Sequence, residues 1–332
     1  MKTLLKFAFK RGLAALPLLF FLPFITLCLM HAIPGNYFDS LRMNPQISAE
    51  TIAQYEKNYH LGAPLILQYG YWLKNLLRLD LGFSFAYQQP VLSVLKSRAW
   101  NTFLLSGASI LFAWGIALPL GLLAAIKRNR WQDRILRGVS YLGLSFPNFF
   151  LCLLFLYLAY RTGGLPLSGM RSVHYDALTW AGKVTDIAQH MIIPVLILGG
   201  GSACHLFRLM RAQTVEVLDK DFVLQLEASR IPRRTILFRH VLRNAVNPLV
   251  TLFGMELPAL FSGAALVEIF TGWPGLGQVM LSAVRSQDLF LVLGNMLVIS
   301  FLLICGNLIS DVLLIGIDPR IRAWNPPGRS TS

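Results

Sequence analysis

Six stretches of the chain are long, apolar and almost free of charge, and shorter polar segments separate them. Charge-free runs cover 12–37 (extending to 38), 99–126, 138–160, 187–207 and 289–310. A sixth, 244–270, is equally apolar apart from Glu256 and Glu268. Roughly 20 apolar residues in a helix cross the hydrocarbon core of a bilayer, so the pattern predicts six transmembrane helices. Pro17, Pro23, Pro119, Pro147, Pro194 and Pro258 fall inside these runs. Membrane helices tolerate them because neighbouring groups satisfy the freed carbonyls.

Between the fourth run and 244–270 the pattern changes. Asp221 to Ser229 is phased as a helix, with Phe222, Gln225 and Ser229 on one face and Val223, Leu224 and Leu226 on others. Pro232 then breaks the backbone, since it lacks an N–H and disfavours helix at Ile231. A second helical run, 235–244, sets Ile236, Leu237, Val241 and Leu242 against Arg239, His240 and Arg243. The segment is too polar to enter a bilayer. Helix, break, helix between two spans predicts a docking element for a cytosolic partner.

The polar stretch 39–98 is the sizeable extramembrane insertion. It reads as two amphipathic helices. One covers 47–59, opened by Ser48 or Thr51 as cap. The other covers 68–79, with Tyr69, Trp72, Leu73 and Leu76 on one side and an aromatic content suited to the membrane interface.

Composition agrees with a membrane protein: 55% of residues are hydrophobic and 14% charged, far from a soluble average. Lysine and arginine set the orientation. With the N-terminus inside, the segments 1–11, 127–137, 208–243 and the tail after 310 hold twenty of the thirty Lys and Arg, as the positive-inside rule requires. The same bias accounts for the net charge of +14, so no nucleic-acid partner is implied. The basic cluster at 127–137 needs only topology and contact with anionic lipid. The first run is too long for a signal peptide and lacks a small-residue cleavage site, so it reads as an uncleaved span. Cys28, Cys152, Cys204 and Cys305 are widely spaced inside apolar runs and form neither a disulfide framework nor a metal motif. His31, His190 and His205 are isolated, near span ends, and suit interfacial hydrogen bonding better than ligation. No G-x-x-x-x-G-K-[ST] phosphate loop, H-E-x-x-H or G-x-S-x-G occurs. Gly199-Gly-Gly201 reads as helix packing. Energy for any work must come from another chain.

Four separated blocks resemble one family, the permeases of ABC importers in the dipeptide, oligopeptide and nickel group. The first is the coupling loop, where Asp221, Phe222, Val223, Ala228, Leu237, Arg239, His240, Leu242, Arg243, Asn244, Ala245 and Pro248 match. Leu226 replaces the family's usual alanine and Arg230 its usual glycine, which permits a positive-φ turn. The second is Tyr59-His-Leu-Gly62 with Gln68-Tyr-Gly-Tyr-Trp-Leu-Lys-Asn and Asp80-Leu-Gly-Phe-Ser84, similar to the first external region. The third is Glu268-Ile-Phe-Thr-Gly-Trp273-Pro274-Gly275-Leu-Gly277, similar to an external scoop between the last two spans. The fourth is Asp318-Pro-Arg-Ile-Arg322 near the C-terminus.

The resemblance implies an all-α, polytopic membrane protein with the six-helix fold of a type I ABC-importer permease, in a bacterial inner membrane. Its regions would be the N-terminus and first span (1–38), an external region (39–98), a five-helix core (99–316) with a cytoplasmic coupling loop (211–248), and a cytoplasmic tail (317–332). The implied partners are a second homologous permease, two cytosolic ATPases, an external substrate-binding protein and membrane lipid. The chain binds no cofactor, ATP being used by the partners. Coupling would run through Asp221, Phe222, Val223, Glu227, Ala228, Arg230, Arg239, His240, Arg243, Asn244 and Pro248. The implied cargo is short peptides first, with nickel or another small solute as minority cases. Glu256, deep inside a span, is expected to line the pathway or to brace two helices. The competing class is an ion- or proton-coupled carrier using Glu256, Glu268 and Asp311, since intramembrane acids are functional by default. Glu268 and Asp311 are expected near span ends, within reach of water.

Overall fold

Hydrocarbon offers the backbone no hydrogen-bond partners, so these apolar runs must satisfy themselves as helices. The computed structural model describes residues 2–35, 37–42 and 62–317, with Glu50, Ile52, Gln54 and Lys57 singly. For 2–11, 39–41, 251–263 and 310–317 the backbone alone is described. The helix expected over 47–59 falls largely outside these residues, and Asp318 to Arg322 falls wholly outside.

The order is α1 (Lys2–Ala32), α2 (Tyr37–Arg42), α3 (Leu65–Leu76), a two-stranded antiparallel pair β1 (Phe83–Ser84) and β2 (Gln89–Pro90), then α4 (Val91–Ile126). Next come α5 (Trp131–Ser145), α6 (Asn148–Thr162), α7 (Trp180–Leu218) and α8 (Asp221–Ala228). A helical turn, Arg233–Thr235, passes through a π-helical stretch, Ile236–Val241, into α9 (Leu242–Thr271), followed by α10 (Leu276–Arg285) and α11 (Leu289–Ile317). Among the described residues, Gly12–Ala32 of α1, all of α4 and α7, and Leu289–Ile309 of α11 are long and apolar enough to cross a membrane. The 30 residues of α9, at about 1.5 Å each, are also sufficient in length.

The third predicted span is not a single helix. α5 and α6 meet at a 105° bend, with Phe146 extended (φ −97°, ψ 134°) ahead of Pro147. Proline disfavours helix at the residue before it and removes a donor, and here the helix yields. Pro17, Pro23, Pro119 and Pro194 stay inside continuous helices. Each half has 15 residues, about 22 Å, so only the bent pair together could cross. The expected helix 68–79 is also displaced, to Leu65–Leu76. Leu79 has φ 59° and the Asp80 N–H returns to the Asn75 carbonyl, which closes the helix early. Its predicted face holds, but it meets protein instead of lipid. Trp72 is buried with Tyr69, Leu73 and Leu76 around it, and the Tyr69 hydroxyl donates to the Phe20 carbonyl of α1.

The centre of the bundle is the pairing of α4 with α7, onto which α9 and then α11 pack, while α1 lies against α11. Without a hydrophobic driving force in lipid, helices associate by close backbone approach at small residues. Gly199 supplies one such approach: a Cβ there would sit 2.7 Å from the Ser109 carbonyl oxygen of α4. Ala113, Ala117 and Ala124 of α4 are fully buried. At one end of this pair an apolar cluster joins Leu27, Trp72, Phe85, Val91 and Leu95 to Leu276, Val279 and Phe290. At the other end Ala117 and Leu122 join Met210, Val217, Val223, Ile236 and Val241.

Part of the basic stretch 127–137 is committed to ion pairs. Asp133, fully buried, accepts from Arg211 Nε (2.6 Å) and Nη2 (2.8 Å) and from the Asn129 N–H (2.9 Å). Arg137 Nε lies 3.4 Å from it. Arg128 pairs with Asp219 at 3.0 Å, exposed to solvent. Removing one partner of a buried pair leaves the other charge uncompensated, at a cost of about 3–5 kcal/mol. Asp133→Ala is therefore expected to lower the denaturation midpoint of the detergent-solubilised protein sharply. Adding Arg211→Leu should recover much of the loss. An unchanged midpoint in the single variant would show that the pair does not hold α5 to α7.

Candidate functional site

The loop after α7 is built to show one face and bury the other. α8 turns Val223 inward (2% exposed), with Phe222 and Leu226 half-buried beside it, against Val217, Ile236 and Val241. Asp221, Leu224, Gln225, Glu227 and Ala228 face out. Asp221, in the first turn, complements the helix dipole. The outward face carries exposed apolar surface, Leu224 at 60%, and Phe238 of the π-helical stretch is 61% exposed. Neither residue was among the sites singled out in the sequence, because in a one-dimensional pattern an outward leucine or phenylalanine looks like an inward one.

α8 ends in a Schellman motif. The Arg230 N–H donates to the Glu227 carbonyl (3.0 Å) and the Ile231 N–H to Leu226 (3.3 Å), the pairing that places the residue after the cap in the left-handed region. That residue is Arg230, with φ 56°. The turn the family builds with glycine is therefore kept, with arginine forced into it. Pro232 (φ −55°, ψ 132°) breaks the chain as expected. The second helix is not separate, however. The run 235–244 passes through π geometry, with the Leu242 N–H reaching back to Leu237, and continues as α9 without a gap. The inward residues Ile236 and Val241 pack in the same cluster as Val223, so burial keeps the backbone helical where the sequence suggested an end. Arg239, Arg243, Asn244 and Pro248 are exposed and His240 is half-buried. Asn244 Nδ2 donates to the His240 carbonyl at 2.8 Å. Glu256 lies on α9, and its side chain is outside the described residues, as is that of Asp311.

At the other end of α9, Thr271 and Gly272 close the helix and the chain turns through Trp273, Pro274 and Gly275 into α10. Glu268 is wholly buried, contrary to the expectation that water reaches it. Its Oε1 accepts from Thr102 Oγ1 (2.6 Å) and its Oε2 from the Gly277 N–H (2.7 Å). Thr102 in turn accepts from the Leu276 N–H (2.9 Å). The carboxylate thus sits at the N-terminus of α10, where unsatisfied N–H groups and the helix dipole favour negative charge. Gly275 must be glycine, since a Cβ would overlap the Glu268 carboxylate. Trp273, fully buried, donates from Nε1 to the Asn101 carbonyl (3.0 Å), and Asn101 Nδ2 returns a bond to the Pro274 carbonyl (2.9 Å). Asn101 and Thr102 belong to α4 and carry no motif, so the sequence alone gave no sign of them.

A second buried acid was legible but overlooked. Asp288 caps α11, Oδ1 accepting from the Leu291 N–H (3.3 Å), while Oδ2 takes Ser84 Oγ (2.7 Å) and the Ala86 N–H (3.0 Å). Burial pushes its carboxyl above the usual carboxylate range, and these donors pull against that rise. An Asp directly before an apolar run is an N-cap signature. His190, mostly buried, bonds the Asp186 carbonyl of its own helix at 2.8 Å, and His31 bonds Leu27 at 3.1 Å. All four cysteines are free. Among the described residues no group of three or more His, Cys, Asp or Glu side chains could hold a metal ion.

Residues 117–323 match the family model described as "Binding-protein-dependent transport system inner membrane component", and residues 4–106 match the N-terminal model of the same family. The oligopeptide transport system permease protein AppB of Bacillus subtilis (strain 168) is 31% identical over 314 residues, 94% of this chain and 98% of that protein. The glutathione transport system permease protein GsiC of Escherichia coli (strain K12) is 32% identical over 321 residues, 96% and 99% of the two chains. A chain of the MetNI methionine ABC transporter, solved in inward-facing conformations, superposes with a TM-score of 0.53 at 17% identity. It covers 68% of this chain and 97% of that one, a likeness of fold. On the strength of matches that run almost end to end, the chain belongs to the family of binding-protein-dependent transport system inner-membrane components.

Proposed function

We propose that this inner-membrane permease subunit of an ABC importer forms half of a peptide pathway and is driven by cytosolic ATPases docked on 221–248. The observation that carries this reading is the two-faced α8. Its outer face presents Leu224, Glu227 and Ala228, while its inner face is rooted, through Val223, in the cluster that holds the ends of α4, α7 and α9. A displacement of α8 is therefore a displacement of three long helices at once. Such a loop can bias two states only if its contacts differ between them, and an exposed apolar strip is a means of differential contact. Two ATPases, a second homologous permease and an external binding protein complete the assembly in this proposal, with ATP used by the partners and no cofactor held by this chain. The names of the AppB and GsiC relatives favour di- or oligopeptide cargo over nickel or another small solute.

In the same reading the N-terminus and 208–243 are cytoplasmic, and the turn Trp273–Gly277 shapes the outer mouth. The turn is tied to α4 through Asn101, Thr102 and Glu268, so it would move with the helix that also packs beneath α8. The carrier alternative is weakened at Glu268, whose two oxygens accept from Thr102 Oγ1 and the Gly277 N–H.

Three outcomes test these statements. In a background without native cysteines, Val173→Cys, at a 97% exposed position, should react with an impermeant thiol reagent added to whole cells whose outer membrane is opened. Ser229→Cys should react only after the inner membrane is permeabilised; external labelling there would reverse the orientation. Ala228→Glu places a charge on the outward face and should abolish uptake at normal membrane abundance. Glu227→Cys should crosslink to the ATPase and not to the binding protein, and normal uptake together with no ATPase crosslink would sink the coupling role. Glu256 is proposed to line the pathway and to favour cationic groups such as a peptide amino terminus. Glu256→Gln should then alter uptake selectivity with abundance unchanged, whereas reduced abundance would assign it to helix bracing.

A further inference from the structure

At the end of the bundle that carries α8, a cavity of about 390 Å³ opens between α5 and α7. Arg137 and Tyr141 of α5 and His205, Arg208 and Arg211 of α7 line it. We propose that this pocket binds the phosphate headgroup of an anionic phospholipid.

The charge count is the first argument. Three guanidinium groups meet here and the described residues place one carboxylate among them, Asp133, leaving an excess of two positive charges. Asp133 accepts its hydrogen bonds from Arg211 and from the Asn129 N–H. Arg137 Nε, 3.4 Å from that carboxylate, is buried without a hydrogen-bond partner. Arg208 lies 4.9 Å over the Tyr141 ring and makes no ion pair among the described residues. The stack fixes the plane of its guanidinium and leaves the N–H fork free. A planar fork matches phosphate oxygens in pairs, and two forks on facing helices suit one tetrahedral anion.

The surroundings select a lipid over a soluble phosphate. On the face of α5 that carries Arg137, the exposed Tyr141 (54%) and Leu144 (41%) follow at i+4 and i+7, leading away from the basic end. A headgroup in the pocket would lay its acyl chains over these side chains. Basic pockets between membrane helices on the cytoplasmic side are suited to such headgroups.

The assignment to the inner leaflet rests on the orientation proposed above. Lipid binding to the solubilised chain is read without reference to sidedness, so thiol labelling and the following test fail independently. The full chain, purified in detergent, is exposed to phosphatidylglycerol or phosphatidylcholine, and retained lipid is counted by native mass spectrometry. Phosphatidylglycerol should be retained well above phosphatidylcholine. Each neutralised arginine should weaken that preference about fivefold, in Arg208→Gln and in Arg137→Gln, with unchanged thermal midpoint in Arg208→Gln. Arg78→Gln, an exposed arginine outside the pocket, should leave it intact. Equal retention of the two lipids, or an undiminished preference in Arg208→Gln, would overturn the proposal. So would protection of the protein by millimolar inorganic phosphate without any phosphatidylglycerol preference, which would mark a site for soluble anions.

Discussion

The close pairing of α4 with α7 is the constraint on which the remaining structure depends. α4 alone has 36 residues, about 54 Å of helix, more than the hydrocarbon core requires. The surplus reaches past the core at both ends, and both candidate elements are built on it. Asn101 and Thr102, ten residues into the helix, hold the turn between α9 and α10. Ala117 to Ile126, at the far end, pack beneath α8 and the π-helical stretch. An approach as close as that of Gly199 to Ser109 keeps the two long helices in fixed register. Sideways motion at one end is then delivered to the other by a rigid rod, with no chain of small adjustments needed between them.

Buried charge is placed at the ends of this rod, where it ties elements together. Glu268 joins α4, α9 and α10. Asp133 joins α5 to α7, and Asp288 joins β1 and the turn after it to α11. Ion pairs and buried acids contribute little net stability when weighed against desolvation, but each of these three accepts bonds from donors on different elements. A slip of one helix by a turn would strand a carboxylate among apolar groups. The acids therefore specify register, a role that apolar packing between smooth helices leaves open.

The spans and the polar, helix-break loop after α7 were legible because they depend on length and sign of charge, which a linear sequence carries directly. The breaks were less so. Pro147 and Pro194 look alike in sequence, yet one bends the chain by 105° and the other sits in an unbroken helix, and the difference lies in neighbours that only the fold supplies. The continuation of 235–244 into α9 follows from burial of Ile236 and Val241 against α4 and α7, again a tertiary fact. Glu268 had been placed near water from its position at a span end. Thr102, 166 residues away in sequence, could not be paired with it until the chain was folded.

Arg230 shows how a departure from a family pattern can be read physically. It stands where the family usually has the glycine that permits a positive-φ turn. The Schellman bonds show that the turn is kept, with a residue bearing a Cβ in a left-handed conformation that costs roughly 1–2 kcal/mol more than glycine would. Strain of this kind persists where the surroundings over-determine it, and here Ile231 anchors one side of the turn in the apolar cluster while Leu226 anchors the other. The side chain itself is exposed and contributes nothing to that anchoring. What the substitution adds is a permanent positive charge at the tip of the loop, beside Leu224 and Ala228 on the outward face. On the surface proposed to meet another protein, such a charge would act through the complementarity of that contact, where charge governs partner choice and rate of encounter more than raw affinity.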